Sequence, residues 1–142
     1  MGYSTQFKGQ LTFTQPLTPD QRAALASMFD EDCRDHLEWE AAQLSYIDLQ
    51  FTPDGSGIEW NGAEKTYHLD QLVNVVLTQM RKSWPAFGLL GTLIAQGEDL
   101  DDRWALTIRD DGWAHKLPVA PTGQTVTCPH CQGSFSLEGA QA

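Results

Sequence analysis

Residues 7–21 read FKGQLTFTQPLTPDQ, and this stretch decides the fold because a strand pattern is followed at once by a helix start. Residues 3–14 alternate in polarity, with an apolar side formed by Phe7, Leu11 and Phe13. Such alternation predicts a strand with one buried face. Thr18 is a favourable N-cap, and Gln21 completes a capping box with it. A strand followed directly by a capped helix indicates a mixed α and β fold.

The same two periodicities continue along the chain. The first helix is predicted to run from Thr18 to near Glu38, because apolar residues recur at helical spacing. Residues 44–51 and 58–60 alternate around the turn-forming run 52–57, which predicts a hairpin. The remaining elements are a helix at 68–83 and strands at 89–95, 104–108 and 113–117. The strand at 89–95 is apolar on both faces and is therefore expected to be central.

The order of these elements predicts the architecture. It is β-α-β-β-α-β-β-β, and its first six elements match a ferredoxin-like split βαβ layout. That layout places two helices on one face of an antiparallel sheet. We therefore expect an α+β domain over residues 1–118 with extra C-terminal strands. Residues 119–138 are expected to form a half zinc-ribbon knuckle packed on the same domain, and 139–142 a flexible tail.

The composition restricts the classes of partner. The chain has 142 residues, a hydrophobic fraction of 41% and a formal net charge of −10. Phosphate groups repel such a chain, so direct nucleic-acid binding is disfavoured, whereas a basic protein surface is a compatible partner. No apolar stretch approaches the roughly 18–20 residues that span a bilayer, so no membrane association is expected. These features predict a cytoplasmic protein.

The most specific motif is the knuckle Cys128-Pro129-His130-Cys131. Two thiolates three residues apart in a tight turn can bind one tetrahedral ion, as in half of a zinc ribbon. The chain has three cysteines, and two of them lie in this motif. That usage fits metal binding in a reducing compartment better than a disulfide framework. We therefore predict a structural zinc ion.

The knuckle supplies only two of the four ligands that structural zinc needs. Cys33 and His36 are three residues apart on the predicted first helix and would complete a Cys₃His site. His130 and His115 are other candidates, and two knuckles in a homodimer would supply four thiolates. Cys33 and His36 are also compatible with simple core packing. A free dithiol remains an alternative, but a thioredoxin-type redox role is disfavoured because the motif does not open a helix.

Acidic residues form two clusters, one between residues 30 and 40 and one between 98 and 102. Paired carboxylates can bind Mg²⁺ or perform acid–base chemistry, although such clusters are more often a solvated surface. Acidic groups at a helix C-terminus are unfavourable with the helix dipole. That cost indicates that the first cluster has a function as a surface, for example one that mimics the charge of phosphate groups and binds a basic partner.

A second constellation combines polar and aromatic side chains around residues 60–68. It suggests a small-ligand pocket that would be lined by Arg34, His36, Tyr46, Asp48, Trp60, Lys65 and Arg103. The simpler interpretation is a hairpin end whose polar groups cap the second helix. The chain has no P-loop, dinucleotide fingerprint, HExxH motif or nucleophile elbow. A binding protein is therefore favoured over an enzyme.

Three further stretches carry a resemblance to known proteins. They are Gly2-Tyr3-Ser4-Thr5 with Phe7 and Gly9, then residues 57–67 (GIEWNGAEKTY), then Gly91-Thr92-Leu93 through Gly97-Glu98 to Asp102-Arg103-Trp104. Over most of residues 2–109 the chain resembles small bacteriophage- and prophage-encoded proteins that have no assigned activity. The resemblance implies an accessory protein acting inside a bacterial host cell, and it implies no site residue.

These observations together give one leading hypothesis and two alternatives. We expect a non-enzymatic phage accessory protein that binds a host protein, such as a component of a defence system, or pairs with itself. The alternatives are a protein that binds or hydrolyses a small molecule or nucleotide, and a structural component of the virion.

Overall fold

A computed structural model describes residues 4–63, 66–99, 101–119, 125–127 and 134–136. Within these ranges the chain forms two α-helices, eight strands and two short 3₁₀ turns. The elements are β1 (Thr5–Phe13), α1 (Pro19–Met28), the 3₁₀ turns Cys33–Asp35 and Leu37–Trp39, β2 (Leu49–Phe51), β3 (Gly57–Trp60), α2 (Leu69–Ser83), β4 (Leu89–Gly97), β5 (Arg103–Ile108), β6 (Ala114–Pro118), β7 (Thr125–Thr127) and β8 (Ser134–Ser136).

The first six strands form one antiparallel sheet in the order β2-β3-β1-β4-β5-β6. β1 pairs with β4 along its whole length, from Thr5 opposite Gly97 to Phe13 opposite Leu89. The predicted α+β fold with two helices and an antiparallel sheet is thereby confirmed. β7 and β8 pair antiparallel in a second, two-stranded sheet.

Both helices and one face of the large sheet share a single core. The predicted apolar side of β1 is buried, and α2 buries a continuous stripe. The α2 residues in the core are Leu69, Leu72, Val73, Val75, Val76, Leu77 and Met80. Burial of a Leu side chain contributes about 1.5–3 kcal/mol, so this stripe is a major source of stability. The two helices contact each other as well as the sheet.

Helix α1 begins as predicted but ends about half of the way along its expected length. Thr18 and Gln21 form the capping box, with N···O distances of 2.9 and 3.2 Å. The helix stops at Met28, and Asp30 adopts a left-handed backbone with φ 63°. The predicted end near Glu38 was wrong, because the backbone leaves helical geometry at Phe29 and Asp30.

The segment after α1 is held by its own side chains. Asp32 accepts a hydrogen bond from the backbone N–H of Arg34 and caps the turn Cys33–Asp35. Cys33 therefore lies in a 3₁₀ turn and His36 directly after it, not on a face of α1 as the sequence pattern predicted. Local capping by Asp competes with helix continuation, which explains the difference.

The opposite face of the sheet carries mainly polar side chains that are exposed in the described part of the chain. β4 is central in the strand order, as predicted, but only one of its faces is buried, and Leu90 on the other face is 59% exposed. Among the described residues, neither helix has the length and apolar character needed to cross a membrane.

A side chain of α2 covers part of the free edge of β6. The Asn74 amide donates to the carbonyl oxygen of Ala114 at 3.0 Å and accepts from its N–H at 2.8 Å. Further along the strand, Pro118 has no N–H to offer and Lys116 adds a charge. Each of these features discourages pairing with a second sheet.

Candidate functional site

Three connections between elements lie at the same end of the sheet. They are residues 29–48 after α1, 61–68 after β3 and 98–102 after β4. We call these three connections the acidic end. Residues 29–48 and 98–102 together contain eleven acidic residues and one basic residue, Arg34. The strand directions place both predicted acidic clusters there, because antiparallel neighbours turn at alternating ends of the sheet.

The four connections at the other end of the sheet are far less charged. They are residues 14–18, 52–56, 84–88 and 109–113, which together contain three acidic residues and one basic residue. The negative charge of these connections is therefore concentrated at one end of the sheet.

Some of the acidic groups are paired locally. Arg34 forms a two-bond contact with Asp32, with Nε–Oδ1 and Nη2–Oδ2 distances of 2.9 and 2.8 Å. These hydrogen bonds hold the pKa of Asp32 below its ordinary value. His36 lies between Glu31 at 2.9 Å and Glu38 at 3.2 Å. The hydrogen bond with Glu31 is the main reason that the pKa of His36 is raised.

Other acidic groups at this end stay uncompensated. Within the described ranges, the side chains of Asp30, Asp35 and Glu40 form no ion pair and no hydrogen bond. All three residues are exposed. Their charge is thus available to a cationic group from outside the chain.

Exposed apolar side chains lie among these charges. Leu37 is 73% exposed, Tyr46 48% and Tyr67 46%. Leu37 and Tyr46 belong to residues 29–48, and Tyr67 belongs to residues 61–68. Interfaces combine apolar and aromatic anchors with a charged rim, so this arrangement is typical of a protein-binding surface.

A buried chain of hydrogen bonds ties two of these connections together. The indole N–H of Trp60 donates to Thr66 Oγ1 at 2.8 Å, and Thr66 Oγ1 donates to Asp48 Oδ2 at 2.9 Å. Asp48 is 5% exposed, and its burial raises its pKa. Trp60 also packs edge-on against Phe7 with ring centroids 5.4 Å apart. Asp48 and Trp60 therefore act as internal supports that hold Thr66 against residues 29–48.

The remaining residues of the predicted ligand pocket are dispersed. Arg34 is bound to Asp32, which forms an antiparallel bridge with Tyr46, so these residues lie together. Arg103 is on β5, and its neighbour Trp104 is in the core, so the Arg103 side chain faces the other side of the sheet. Lys65 lies outside the described residues.

The predicted metal ligands have different surroundings. Cys33 is fully buried in the core, and this burial raises the pKa of its thiol. The ring nitrogens of His36 contact Glu31 and Glu38, and its ring stacks on Trp39 at a centroid distance of 4.0 Å. His115 contacts Asp111 at 2.7 Å.

Cys128, His130 and Cys131 lie outside the described residues. Within the part of the chain that the structure covers, no three His, Cys, Asp or Glu side chains are arranged to hold a metal ion. The zinc site and its ligand set stay a prediction.

The sequence did not single out Leu37, and it indicated Tyr67 only as part of the polar and aromatic stretch 60–68. The exposure of an apolar residue depends on which side chains cover it, and no local pattern reports that. Tyr46 was found for its polarity and aromatic character.

The fold is α+β, and its acidic end combines exposed carboxylates with exposed apolar and aromatic side chains. Comparison of the chain with protein-family models, curated proteins and solved structures finds no match.

Proposed function

We propose that the chain is a non-enzymatic binding protein whose acidic end docks on a basic surface of a partner protein. The observation that carries the proposal is that exposed Leu37, Tyr46 and Tyr67 belong to connections at the same end of the sheet as the exposed carboxylates of Asp30, Asp35 and Glu40. Large apolar and aromatic side chains supply most of the binding energy at protein interfaces. Carboxylates around them select a partner of opposite charge and disfavour other partners.

The internal supports of this surface favour the same function. Binding is tighter when the contact groups are already held in place, because less conformational entropy is lost. The bonds between Trp60, Thr66 and Asp48 hold the connection of Tyr67 against the connection of Tyr46. The two-bond contact between Arg34 and Asp32 stiffens the acidic segment in the same way.

The test compares matched surface variants in affinity capture followed by calorimetry with the purified partner. The triple variant Leu37→Ser, Tyr46→Ser, Tyr67→Ser removes the anchors, and Leu90→Ser removes an exposed apolar side chain on the sheet face instead. We expect the partner to be retained by the wild type and by Leu90→Ser but lost by the triple variant. The single changes of Tyr46 and Tyr67 should each weaken binding by at least about 1 kcal/mol, and that of Leu37 by less, because Tyr is enriched among strongly contributing interface residues and Leu is not.

Two results would count against this function. Equal loss of the partner in Leu90→Ser and in the triple variant would show that the acidic end is not the contact surface. Catalytic turnover of a nucleotide or peptide by the purified chain would favour the enzymatic alternative.

The biological context is part of the proposal. We infer a phage accessory protein that acts on a protein of its bacterial host, and this rests on the sequence resemblance. We also assign the first six elements to the ferredoxin-like class. The strand order β2-β3-β1-β4, with α1 after β1 and α2 after β3, supports that assignment.

The structural zinc ion completes the proposal and has its own test. Elemental analysis should find about one ion per chain if Cys33 and His36 join Cys128 and Cys131 as ligands. About half an ion per chain, together with a doubled solution mass, would indicate two knuckles sharing one ion in a dimer. Absence of metal together with reactive thiols would contradict both arrangements.

A further inference from the structure

The open face of the sheet brings two rows of side chains side by side. The strand register places Gln6, Gln96 and Arg103 in one row, and Lys8, Ile94, Ala105 and Leu117 in the next. Directly opposed side chains on one sheet face have Cβ atoms about 5 Å apart. Gln6 and Gln96 are therefore direct neighbours, and so are Gln96 and Arg103.

A small cavity lies between the two rows. Its volume is about 170 Å³, and it is lined by Gln6, Lys8, Ile94, Gln96 and Arg103. β4 separates β1 from β5, so the backbones that carry the two cationic side chains are about 10 Å apart. Lys8 and Arg103 thus flank the cavity from opposite sides, and a negatively charged group fits between them.

The lining is chemically distinct from the rest of this acidic protein. It contains two cationic side chains, two amides and one aliphatic side chain, and no carboxylate. In the described part of the chain, Lys8 forms no ion pair or hydrogen bond with any acidic residue, although acidic residues outnumber basic ones by 19 to 9 overall. Its charge is therefore available to an external anion.

The amide of Gln96 is fixed in place. Its Nε2 donates to the backbone oxygens of Gly97, Asp99 and Asp102 at 3.2, 2.9 and 3.3 Å. Ile94 forms an apolar wall, and Ala105 beside it is 7% exposed. The cavity thus has a polar, positively charged side and an apolar side, both built on strands rather than on loops.

We propose that this cavity binds the carboxylate or phosphate group of a small organic anion, whose apolar part lies against Ile94. Lys8 provides a point charge for such a group, and Arg103 adds positive charge on the other side of the cavity. Pockets for drug-sized ligands are usually about 300–1,000 Å³, so this cavity fits a small ligand. The cavity adjoins residues 98–102 of the acidic end, because Gln96 bonds the backbone oxygens of Asp99 and Asp102, but its test uses other probes and other variants than the test of the proposed function.

The test is a titration followed by amide NMR, with sodium phosphate and sodium butyrate as probes and sodium chloride keeping the ionic strength constant. Saturable shifts at Gln6, Lys8, Ile94, Gln96 and Arg103 are expected with at least one probe. Tighter binding of butyrate would assign the site to carboxylates, and tighter binding of phosphate would assign it to phosphates.

Variants separate the site from general charge effects. Lys8→Gln should lower the affinity for the bound probe at least tenfold. It should leave the fold intact, because Lys8 is exposed. Arg103→Gln should weaken binding at least as much. Lys116→Gln is the matched control, because Lys116 lies over the Trp104 ring at 4.6 Å rather than in the cavity. Non-saturable shifts with both probes, or equal weakening by Lys116→Gln, would overturn the proposal.

Discussion

Replacing Thr66 by Val removes a single hydroxyl group from the bonds that support the acidic end. Thr66 Oγ1 accepts from the indole N–H of Trp60 and donates to the carboxylate of Asp48, at 2.8 and 2.9 Å. Val has nearly the same shape, so the change in packing is small. The variant therefore isolates the contribution of the two hydrogen bonds.

The expected cost follows from the burial of the partners. A buried polar group that loses its hydrogen bond costs about 1–3 kcal/mol, and a charged one costs more. Asp48 is buried and Trp60 is half-buried, so the indole N–H can recover a bond to water more easily than the carboxylate. We therefore expect Thr66→Val to lower the free energy of unfolding by about 2–4 kcal/mol. At about 3 °C per kcal/mol for a chain of this size, the melting temperature should fall by roughly 6–12 °C.

Urea unfolding followed by tryptophan fluorescence measures this effect. Thr78→Val is the matched control, because it removes a hydroxyl that only bonds the carbonyl oxygen of Asn74 on the exposed surface of α2. The control should change the free energy of unfolding by less than about 0.5 kcal/mol. If Thr66→Val costs no more than the control, the hydrogen-bonded chain is not a support and the reasoning is refuted.

Asn74→Ala removes the amide that bonds both backbone groups of Ala114, so we expect a loss of about 2–3 kcal/mol in urea unfolding. Gly57→Ala places a Cβ 2.0 Å from the carbonyl oxygen of Leu11, and the resulting strand displacement should cost about 3 kcal/mol, measured by calorimetric melting. Asp48→Asn keeps an oxygen acceptor and removes a charge that burial disfavours. Because burial raises the pKa of Asp48, wild-type stability should fall as pH rises above about 4, whereas the Asn variant should lack this fall in pH-dependent unfolding.

For each of these three predictions, one result would contradict the reasoning. Gln71→Ala changes an exposed amide on the same helix as Asn74. An equal loss of unfolding free energy in both variants would show that the bonds of Asn74 to Ala114 are not the cause. Gly88→Ala adds a Cβ that would meet only side-chain atoms of Thr14, the nearest at 3.2 Å, so an equal loss there would show that contact with backbone is not the cause at Gly57. An Asp48→Asn variant whose stability follows the wild-type pH curve would contradict the linkage argument.

The order of elements followed from sequence because local signals agreed with the final packing. Thr18 and Gln21 capped α1, and alternation identified the buried face of β1. The end of α1 could not be predicted. Cys33 and His36 continue the helical spacing of apolar residues, but Asp30 takes a left-handed backbone and Asp32 caps a separate turn. Side-chain capping overrode periodicity at that point.

The candidate sites depended on strand register, which local patterns do not contain. Asp48 and Trp60 were identified from their residue types, but Thr66 between them makes them supports rather than ligand contacts. Arg103 was grouped with them, whereas its alternation with Trp104 places it on the other face. The pairing of β1 with β4 places Lys8 beside Ile94 at the small cavity, and no local sequence pattern indicates that pairing.

The central position of β1 has a consequence for synthesis of the protein. β1 is made first, yet Phe13 pairs with Leu89 and Thr5 with Gly97, so its main neighbour follows by roughly 80–90 residues. At about 5–20 residues per second, the ribosome leaves this strand without that neighbour for roughly 4–18 s. Such distant pairing also slows folding after release. The strand that organises the finished sheet is therefore the one that waits longest for its main neighbour during synthesis, and slower translation should lengthen that wait.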